Sequence, residues 1–162
     1  YQILKSNADK KSVDWNLNIF NNYTVDLFSD FDGVETIFLS PEMNFEQLKE
    51  IKGKKVKKGM VIYGYLKGMY IEYPIFEKKY KELYGDHNDM YRVIRNDLDN
   101  IELYMDKPMN LIPKLDEIKS LGLDELRLDF TFEQPDEVSE IIKSLNTGKG
   151  KYNPYCFERG IF

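Results

Sequence analysis

The sequence predicts an α/β fold: a partial, roughly half, TIM-like (β/α) barrel with parallel strands and an inserted β-hairpin. Strand-like and helix-like segments follow one another in the order β-α-β-α-β-hairpin-α-β-α, which is typical of a parallel sheet. Two of the strands have one apolar and one polar face, whereas a sheet covered by helices on both sides would be apolar throughout. Closing a barrel takes about eight strands, so four of them form half of one.

Composition limits the class of protein. The chain has 162 residues, 42% of them hydrophobic and 31% charged, which is typical of one globular domain. We expect a cytoplasmic protein without membrane contact, because no apolar run reaches the roughly 20 residues that span a bilayer. The net charge of −5 makes nucleic acid an unexpected partner. Cys156 is the only cysteine, which excludes an intrachain disulfide and an all-cysteine metal site.

The first strand is predicted over 12–20, where apolar and polar residues alternate as they do in a half-buried strand. A polar face on a strand of a parallel sheet indicates that helices cover only one side, so the other side would line a barrel-like centre. The apolar face would carry Trp15, Leu17 and Ile19, and the polar face Asn16 and Asn18.

Asparagines mark the starts of the first two helices. Asn21 or Asn22 can cap the first and Asn44 the second, because an asparagine side chain accepts hydrogen bonds from the free N–H groups of a first turn. The second strand lies in GVETIFLSPE and the third in GMVIYGY. One side of the first helix would carry Tyr23, Leu27 and Phe31.

Residues 90–105 predict the hairpin, with a turn near NDLDN between two apolar segments. The next helix is predicted from Pro108 onward. Gly122 would end that helix, because glycine readily adopts the left-handed conformation that follows many helices. The buried side of this helix would consist of Leu111, Leu115 and Ile118.

The fourth strand, 124–130, has two chemically different faces. Arg127 and Asp129 lie on the polar face. The last helix has Pro135 in its first turn, where a missing N–H costs no hydrogen bond. The apolar face of the strand would carry Leu126, Leu128 and Phe130, and the inward face of the helix Val138, Ile141, Ile142 and Leu145.

Five segments resemble, in order, the second half of the collagenase-like peptidase family, which is family thirty-two of the peptidases of unassigned catalytic type. They are NLNIFN, SPEMNFEQLKEI, VIYGYLKGMYIEYP, the segment from ELYMDKP to LRLDFTFE, and CFERGIF. The resemblance implies a (β/α) barrel whose last four strands lie within 13–162. Some members are proteases that act on collagen or other proteins. Others belong to RNA- or quinone-hydroxylating systems that hold a four-iron four-sulfur cluster on four cysteines.

The chain departs from the family pattern at the cluster positions. The family usually has Tyr-Gly-Arg, then Leu-Met and Cys-Pro; here Tyr65 replaces the arginine and Tyr73 the cysteine, while Cys156 stands where a histidine is common. Without thiolate ligands an iron–sulfur cluster is not expected, and no other cofactor is predicted. A divalent cation held by carboxylates stays an alternative. The positions that match the family are Tyr63, Gly64, Met69 and Pro74.

Reactive groups of a (β/α) barrel lie at the carboxyl ends of its strands, and this rule selects the candidate site. Carboxylates there can act as general acid and base. The competing interpretation is that Asp129 pairs with Arg127 or another interior group and that the two glutamates cap helices. The candidate catalytic residues are Glu42, Asp129 and Glu133, and the candidate substrate-binding residues are Asn18, Ser40, Tyr65, Met69, Arg127 and Arg159.

Nucleophilic catalysis by a cysteine–histidine pair is not expected. The single histidine, His87, lies in the polar segment DHND, which predicts a turn and offers no spacing for a metal site. Cys156 is 69 positions further along the chain, so a pair would require the C-terminal segment to fold back onto that turn.

Three functional hypotheses follow. The first is a peptidase that hydrolyses a peptide or protein substrate with carboxylates in a cleft at the strand ends. The second is a non-catalytic binding or scaffold half-barrel of a larger enzyme, and the third is a hydroxylation-type family member that has lost its cluster. In each case we expect residues 1–162 to form a single domain of a longer protein, whose partner is the missing barrel half or a second copy.

Overall fold

The computed structural model describes residues 7–52, 55–73, 75, 79–85 and 89–159. The strands of these residues are β1 Lys11–Val13, β2 Val34–Phe38, β3 Lys57–Gly64, β4 Lys67–Ile71, β5 Glu82–Tyr84, β6 Met90–Arg95, β7 Ile101–Met105, β8 Met109–Asn110 and β9 Glu125–Asp129. The α-helices are α1 Asn22–Ser29, α2 Phe45–Lys49, α3 Leu115–Lys119 and α4 Pro135–Thr147, and the 3-10 helices are Trp15–Leu17 and Ile112–Lys114.

Four parallel strands form the main sheet in the order β1-β2-β3-β9, which is their order along the chain. The short strand β8 adds an antiparallel pairing at Tyr63 and Gly64, the last residues of β3. The predicted alternation of parallel strands and helices is therefore confirmed as a mixed α/β fold. The described residues contain parallel and antiparallel sheets and no closed barrel.

One face of the main sheet packs against the helices and forms the core. The central strands contribute fully buried side chains to it, because every second residue of a strand points to the same face. The helices contribute Val25, Leu48 and Ile118. The core residues of β2 and β3 on this face include Ile37, Met60 and Ile62, with Leu39 just beyond β2.

The opposite face of the main sheet carries polar side chains. On this face, side chains of β2 contact side chains of β9 across the intervening strand β3. The Thr36 hydroxyl of β2 donates to Oε1 of Glu125 in β9 over 3.1 Å, although β3 lies between them. Two residues further along both strands, the guanidinium of Arg127 in β9 lies 4.4 Å from the ring centroid of Phe38 in β2. Gly59 of β3 leaves room for these contacts, because a methyl group there would lie 2.6 Å from Cε1 of Phe38.

A second, antiparallel sheet is inserted between β3 and β8, with the order β4-β7-β6-β5. The predicted hairpin is confirmed as β6 and β7, and the Asn96 side chain closes its turn by accepting from the N–H groups of Leu98 and Asn100. The insertion is larger than the predicted hairpin, because β4 and β5 extend it to four strands. Its small core consists of Val93, Ile101 and Leu103, with Ile71, Leu83 and Tyr91 packed against them.

The predicted first strand is wrong beyond Val13. The Asp14 side chain accepts from the N–H of Trp15 and starts a 3-10 helix, after which Asn18 adopts a left-handed conformation with φ of 56°. Asn16 and Asn18 therefore do not lie on a strand face, and both are exposed. The alternation of residues 15–19 matched a strand pattern, but a local cap decided the conformation.

The helix predicted from Pro108 also begins later than expected. Met109 and Asn110 form β8, and the N–H of Leu111 donates to the carbonyl of Ile62 over 2.8 Å. Tertiary pairing with β3 thus overrides the helical pattern. Of the predicted buried side, Leu111 and Ile118 are buried and Leu115 is half-buried. The α-helix ends at Lys119, before Gly122, whose φ is +67°.

Two predicted helix faces need correction as well. The first helix buries Val25, whereas Tyr23 and Leu27 of the predicted apolar side are exposed. In α4, Ile142 is exposed rather than inward. The caps were predicted correctly: Asn21 and Asn44 form capping boxes at α1 and α2. The longest helix of the described residues is α4 with 13 residues, and none of the helices there could cross a membrane.

Candidate functional site

The carboxyl ends of the parallel strands lie along one edge of the main sheet, because parallel strands all end in the same direction. Asp14 follows β1, Ser40 lies two residues after β2, Tyr65 follows β3, and Glu133 lies four residues after β9. This edge is where the candidate site was predicted. The second sheet adjoins it, since β4 begins two residues after Tyr65.

Arg127 binds two carboxylates at this edge. Its Nη2 atom lies 2.8 Å from Oδ1 of Asp14 and 2.9 Å from Oδ2 of Asp129, and its Nε atom lies 2.7 Å from Oδ1 of Asp129. The exposed fractions of the three side chains are 29% for the arginine, 45% for Asp14 and 35% for Asp129. The two-point contact with Asp129 fixes the guanidinium plane. The guanidinium also packs against the ring of Phe38.

Asp14 is not among the predicted site residues. The only signal for it in the sequence was its position near a strand end, and the strand was assigned to 12–20, which placed Asp14 inside it. The pairing of Asp129 with Arg127 agrees with the competing interpretation of these two residues. Both aspartates accept charge-assisted hydrogen bonds, so a structural role accounts for them without any reaction.

Glu133 is held by its own loop and by a tyrosine. Its Oε2 atom accepts from the N–H groups of Thr131 and Phe132 over 2.8 and 3.0 Å. Burial, together with a hydrogen bond to Glu133, raises the pKa of Tyr63 far above its usual range. Burial also raises the pKa of Tyr65, against the opposing effect of the Arg92 charge. Both phenols are therefore neutral hydrogen-bonding groups at physiological pH.

A cluster of three aromatic rings and one arginine joins the second sheet to the loop after β9. The guanidinium of Arg92 lies 4.8 Å from the ring centroid of Tyr65 and 5.1 Å from that of Phe132. Phe132 in turn contacts Tyr65 and Tyr104 edge-on, at centroid distances of 5.0 and 5.2 Å. The Arg92 Nη2 atom also donates to the carbonyl of Asp106. We call Tyr65, Arg92, Tyr104 and Phe132 the aromatic rim. The predicted site residue Tyr65 is half-buried within it. The predicted site residue Met69 lies on β4 and is 53% exposed.

Glu42 lies beside the C-terminal segment of the described chain. Burial raises the pKa of the Cys156 thiol, and the negative charge of Glu42 raises it further. The thiol is therefore protonated at neutral pH, which makes it a poor nucleophile. Ser40 is buried, and its hydroxyl accepts from the N–H of Glu42, so it supports the turn rather than presenting a free side chain.

The three predicted catalytic carboxylates have three different sets of partners. Glu42 interacts with Cys156 and Tyr155, Asp129 with Arg127, and Glu133 with Tyr63 and its own loop. This separation favours structural roles for them.

The remaining predicted residues lie at the periphery or beyond the described chain. Arg159 is exposed, and its carbonyl accepts from the side chain of Asn44. Exposed Asn18 ends the first 3-10 helix. Pro74, of the family pattern, and His87 lie outside the described residues.

Metal ligands do not assemble in the described part of the chain: no group of three or more histidine, cysteine, aspartate or glutamate side chains there could hold a metal ion. Comparisons with protein-family models, with curated proteins and with solved structures give no match. The resemblance to the collagenase-like peptidases therefore rests on the sequence segments alone.

Proposed function

We propose that the chain is the C-terminal half of a (β/α) barrel of the collagenase-like peptidase kind, and that it binds a peptide or protein over the carboxyl ends of its strands. A second set of four strands completes the barrel. The half described here is a binding half and does not hydrolyse peptide bonds by itself.

The observation that carries this proposal is the ion pair between Asp14 and Arg127, with an N–O distance of 2.8 Å. Asp14 follows the first strand of the sheet and Arg127 lies on the last. Neighbouring strands are about 4.8 Å apart, so these outer strands would be about 14 Å apart in a flat sheet. Strand side chains stand roughly perpendicular to the sheet, so curvature of the sheet toward its polar face would bring Arg127 closer to Asp14. Such curvature is what a barrel wall requires.

The contacts across the polar face support the same proposal. In (β/α) barrels each interior layer is built by alternate strands. Here Thr36 contacts Glu125 and Phe38 contacts Arg127, and both contacts join β2 to β9 and omit β3. The sequential order of the parallel strands is also that of a barrel, because a doubly wound sheet reverses its order at a switch point.

Binding is favoured over hydrolysis because the candidate reactive groups already have partners. Arg127 engages two aspartates, two backbone N–H groups engage Glu133, and the Cys156 thiol stays protonated. Aromatic and methionine side chains lie nearby instead: the half-buried aromatic rim around Tyr65 and the exposed Met69 and Tyr70 of β4. Aromatic and methionine side chains are enriched in the contact surfaces of proteins that bind polypeptides.

A second candidate is peptide-bond hydrolysis by carboxylates of this chain. The observation in its favour is that Asp14 and Asp129, both partly exposed, meet at one guanidinium beside the strand ends. Paired carboxylates in such a setting can divide the roles of general acid and general base.

Incubation with gelatin and with casein tests both candidates. We expect the chain to bind immobilised gelatin or casein without producing fragments, and Arg92→Gln, which removes the stacked guanidinium of the rim, to weaken the binding. Lys119→Gln, an exposed change at the end of α3, is the matched control and should bind like the unchanged protein. Cleavage that Asp129→Ala or Glu42→Ala abolishes would replace the binding proposal with the second candidate. Absence of both binding and cleavage would contradict both.

A further inference from the structure

A cavity of about 440 Å³ lies between α4, β8 and the C-terminal segment. The size falls in the range of about 300–1,000 Å³ that small-molecule sites occupy. Its apolar walls are Tyr63, Pro108, Ile141 and Tyr152. The helix α4 contributes Ile141 to this lining, and none of its residues is fully buried.

Backbone contacts hold the walls of this cavity in place. Asn110 and Asn153 exchange two backbone hydrogen bonds of 2.9 and 3.1 Å, and the side-chain amide of Asn153 donates to the carbonyl of Pro108 over 2.8 Å. The Asn110 side chain accepts from the N–H of Ile112. The two asparagines therefore shape the cavity, and a ligand need not order the C-terminal segment in order to bind.

Two of the residues that line this space are lysines. Lys107 and Lys151 both line the cavity and both are exposed. Lys107 also lies 3.5 Å from a carboxylate oxygen of Asp106, but its side chain is 68% exposed, so that pair is weak. An apolar space with two cations among its lining residues suits a ligand whose apolar body carries a carboxylate.

A neighbouring cavity of about 320 Å³ shares Lys107 and Asn153 as a common wall. Its other lining residues include the apolar side chains of Leu66, Met105 and Met109 and the carboxylates of Asp89 and Asp106. Lys151 lines only the first of the two cavities, so the pair of cations lies on that side. A ligand that extends from the first cavity past Lys107 would reach the second, which a free acid of one ring could not do. The shared wall favours the end of a longer molecule.

We propose that the first cavity binds the C-terminal residue of a peptide, with its apolar side chain between Tyr63 and Ile141 and its carboxylate at Lys107 and Lys151. The preceding residues run into the second cavity. This inference deepens the proposed function, since it rests on the peptide-binding role and names the part of the peptide that is recognised. The same chemistry also occurs in small aromatic acids, which the experiment separates from peptides.

Calorimetric titration of the full chain tests the assignment with three probes. They are N-acetyl-Gly-Gly-Phe, the same peptide with a C-terminal amide, and phenylacetate. We expect the peptide acid to bind about tenfold or more tightly than its amide, because the amide cannot pair with the lysines. Phenylacetate should bind more weakly than the peptide acid. Equal affinity for phenylacetate would overturn the peptide assignment and identify a site for small acids.

Two variants make the result specific to this cavity. Lys151→Gln should weaken binding of the peptide acid several-fold and leave the affinity for the amide unchanged, whereas Lys149→Gln, an exposed change two residues earlier, should alter neither. Ile141→Trp fills the cavity and should abolish binding, with folding checked by circular dichroism. Equal binding of acid and amide, an equal effect of both lysine variants, or no binding at millimolar peptide would overturn the assignment. Retained gelatin binding in that case would leave the proposed function standing.

Discussion

Arg127 and Asp14 form an ion pair of 2.8 Å although 113 positions separate them in the chain and two strands separate their own strands in the sheet. The pair spans the polar face of the parallel sheet and ties its last strand to the end of its first. A second carboxylate, that of Asp129, binds the same guanidinium from the side. The ion pair therefore connects the two outer strands and fixes the arrangement of charges at the strand ends.

Replacement of Arg127 tests this feature. Arg127→Ala leaves two aspartates without their cation and uncovers Phe38, so we expect the free energy of unfolding to fall by about 1–2 kcal/mol, a value reduced for the partial exposure of the groups. Urea unfolding measures it. Lys119→Ala, at an exposed site, should change stability by less than about 0.5 kcal/mol. An Arg127→Ala protein as stable as the control would show that the ion pair does not hold the sheet edges together.

Gly59 should tolerate no side chain. Gly59→Ala places a methyl group 2.6 Å from Cε1 of Phe38, and we expect destabilisation of about 1–3 kcal/mol from overpacking. Phe38→Leu in the same protein should recover part of this loss by removing the clashing ring. The matched control is Gly68→Ala in β4, where the nearest atom would be 3.7 Å away. Equal thermal stability of the two alanine variants would contradict the contact between β2 and β3 on this face.

The reactivity of Cys156 should depend on pH in a defined direction. Burial and the charge of Glu42 both raise the pKa of the thiol, so alkylation by iodoacetamide should be slow at neutral pH and increase only at alkaline pH. Glu42→Gln removes the second cause and should shift the pH profile of the alkylation rate downward. A free thiol in a short peptide provides the reference profile. A profile that Glu42→Gln leaves in place would place the two side chains further apart than the structure does.

Association should follow from the proposed half-barrel. The strands β1 and β9 are the two outer strands of the parallel sheet, and Leu126, which lies on β9, is exposed. Unpaired edges and exposed apolar residues favour pairing with further strands, so light scattering should give about twice the 19.2 kDa mass of one chain. Leu126→Lys should shift the protein toward the single-chain mass.

The control for association is Leu98→Lys, at the exposed tip of the hairpin between β6 and β7. It adds the same charge at a site that no barrel closure would cover, and it should leave the mass unchanged. A stable single chain at high concentration would contradict completion by a second copy and leave the missing half as the remaining partner.

Local signals in the sequence predicted many of the elements correctly. The capping asparagines Asn21 and Asn44, Pro135 at the start of α4 and the turn before β7 all act within a few residues, so their effect can be read without the fold. Two errors arose where a local pattern was ambiguous. Residues 15–19 alternate like a strand but follow the cap of Asp14, and Met109 belongs to a helical pattern but pairs with Gly64.

By itself, the sequence determined the alternation of strands and helices, the polar face of β9 and the absence of cluster cysteines, because each depends on residue type and short-range periodicity. Only the tertiary structure decided that β4 and β5 join the hairpin, that Asp14 meets Arg127, and that the candidate carboxylates Glu42, Asp129 and Glu133 have separate partners. The physical reason is distance along the chain. Strand pairing and ion pairs between remote residues depend on how the whole sheet curves and packs, and no short stretch of sequence contains that information.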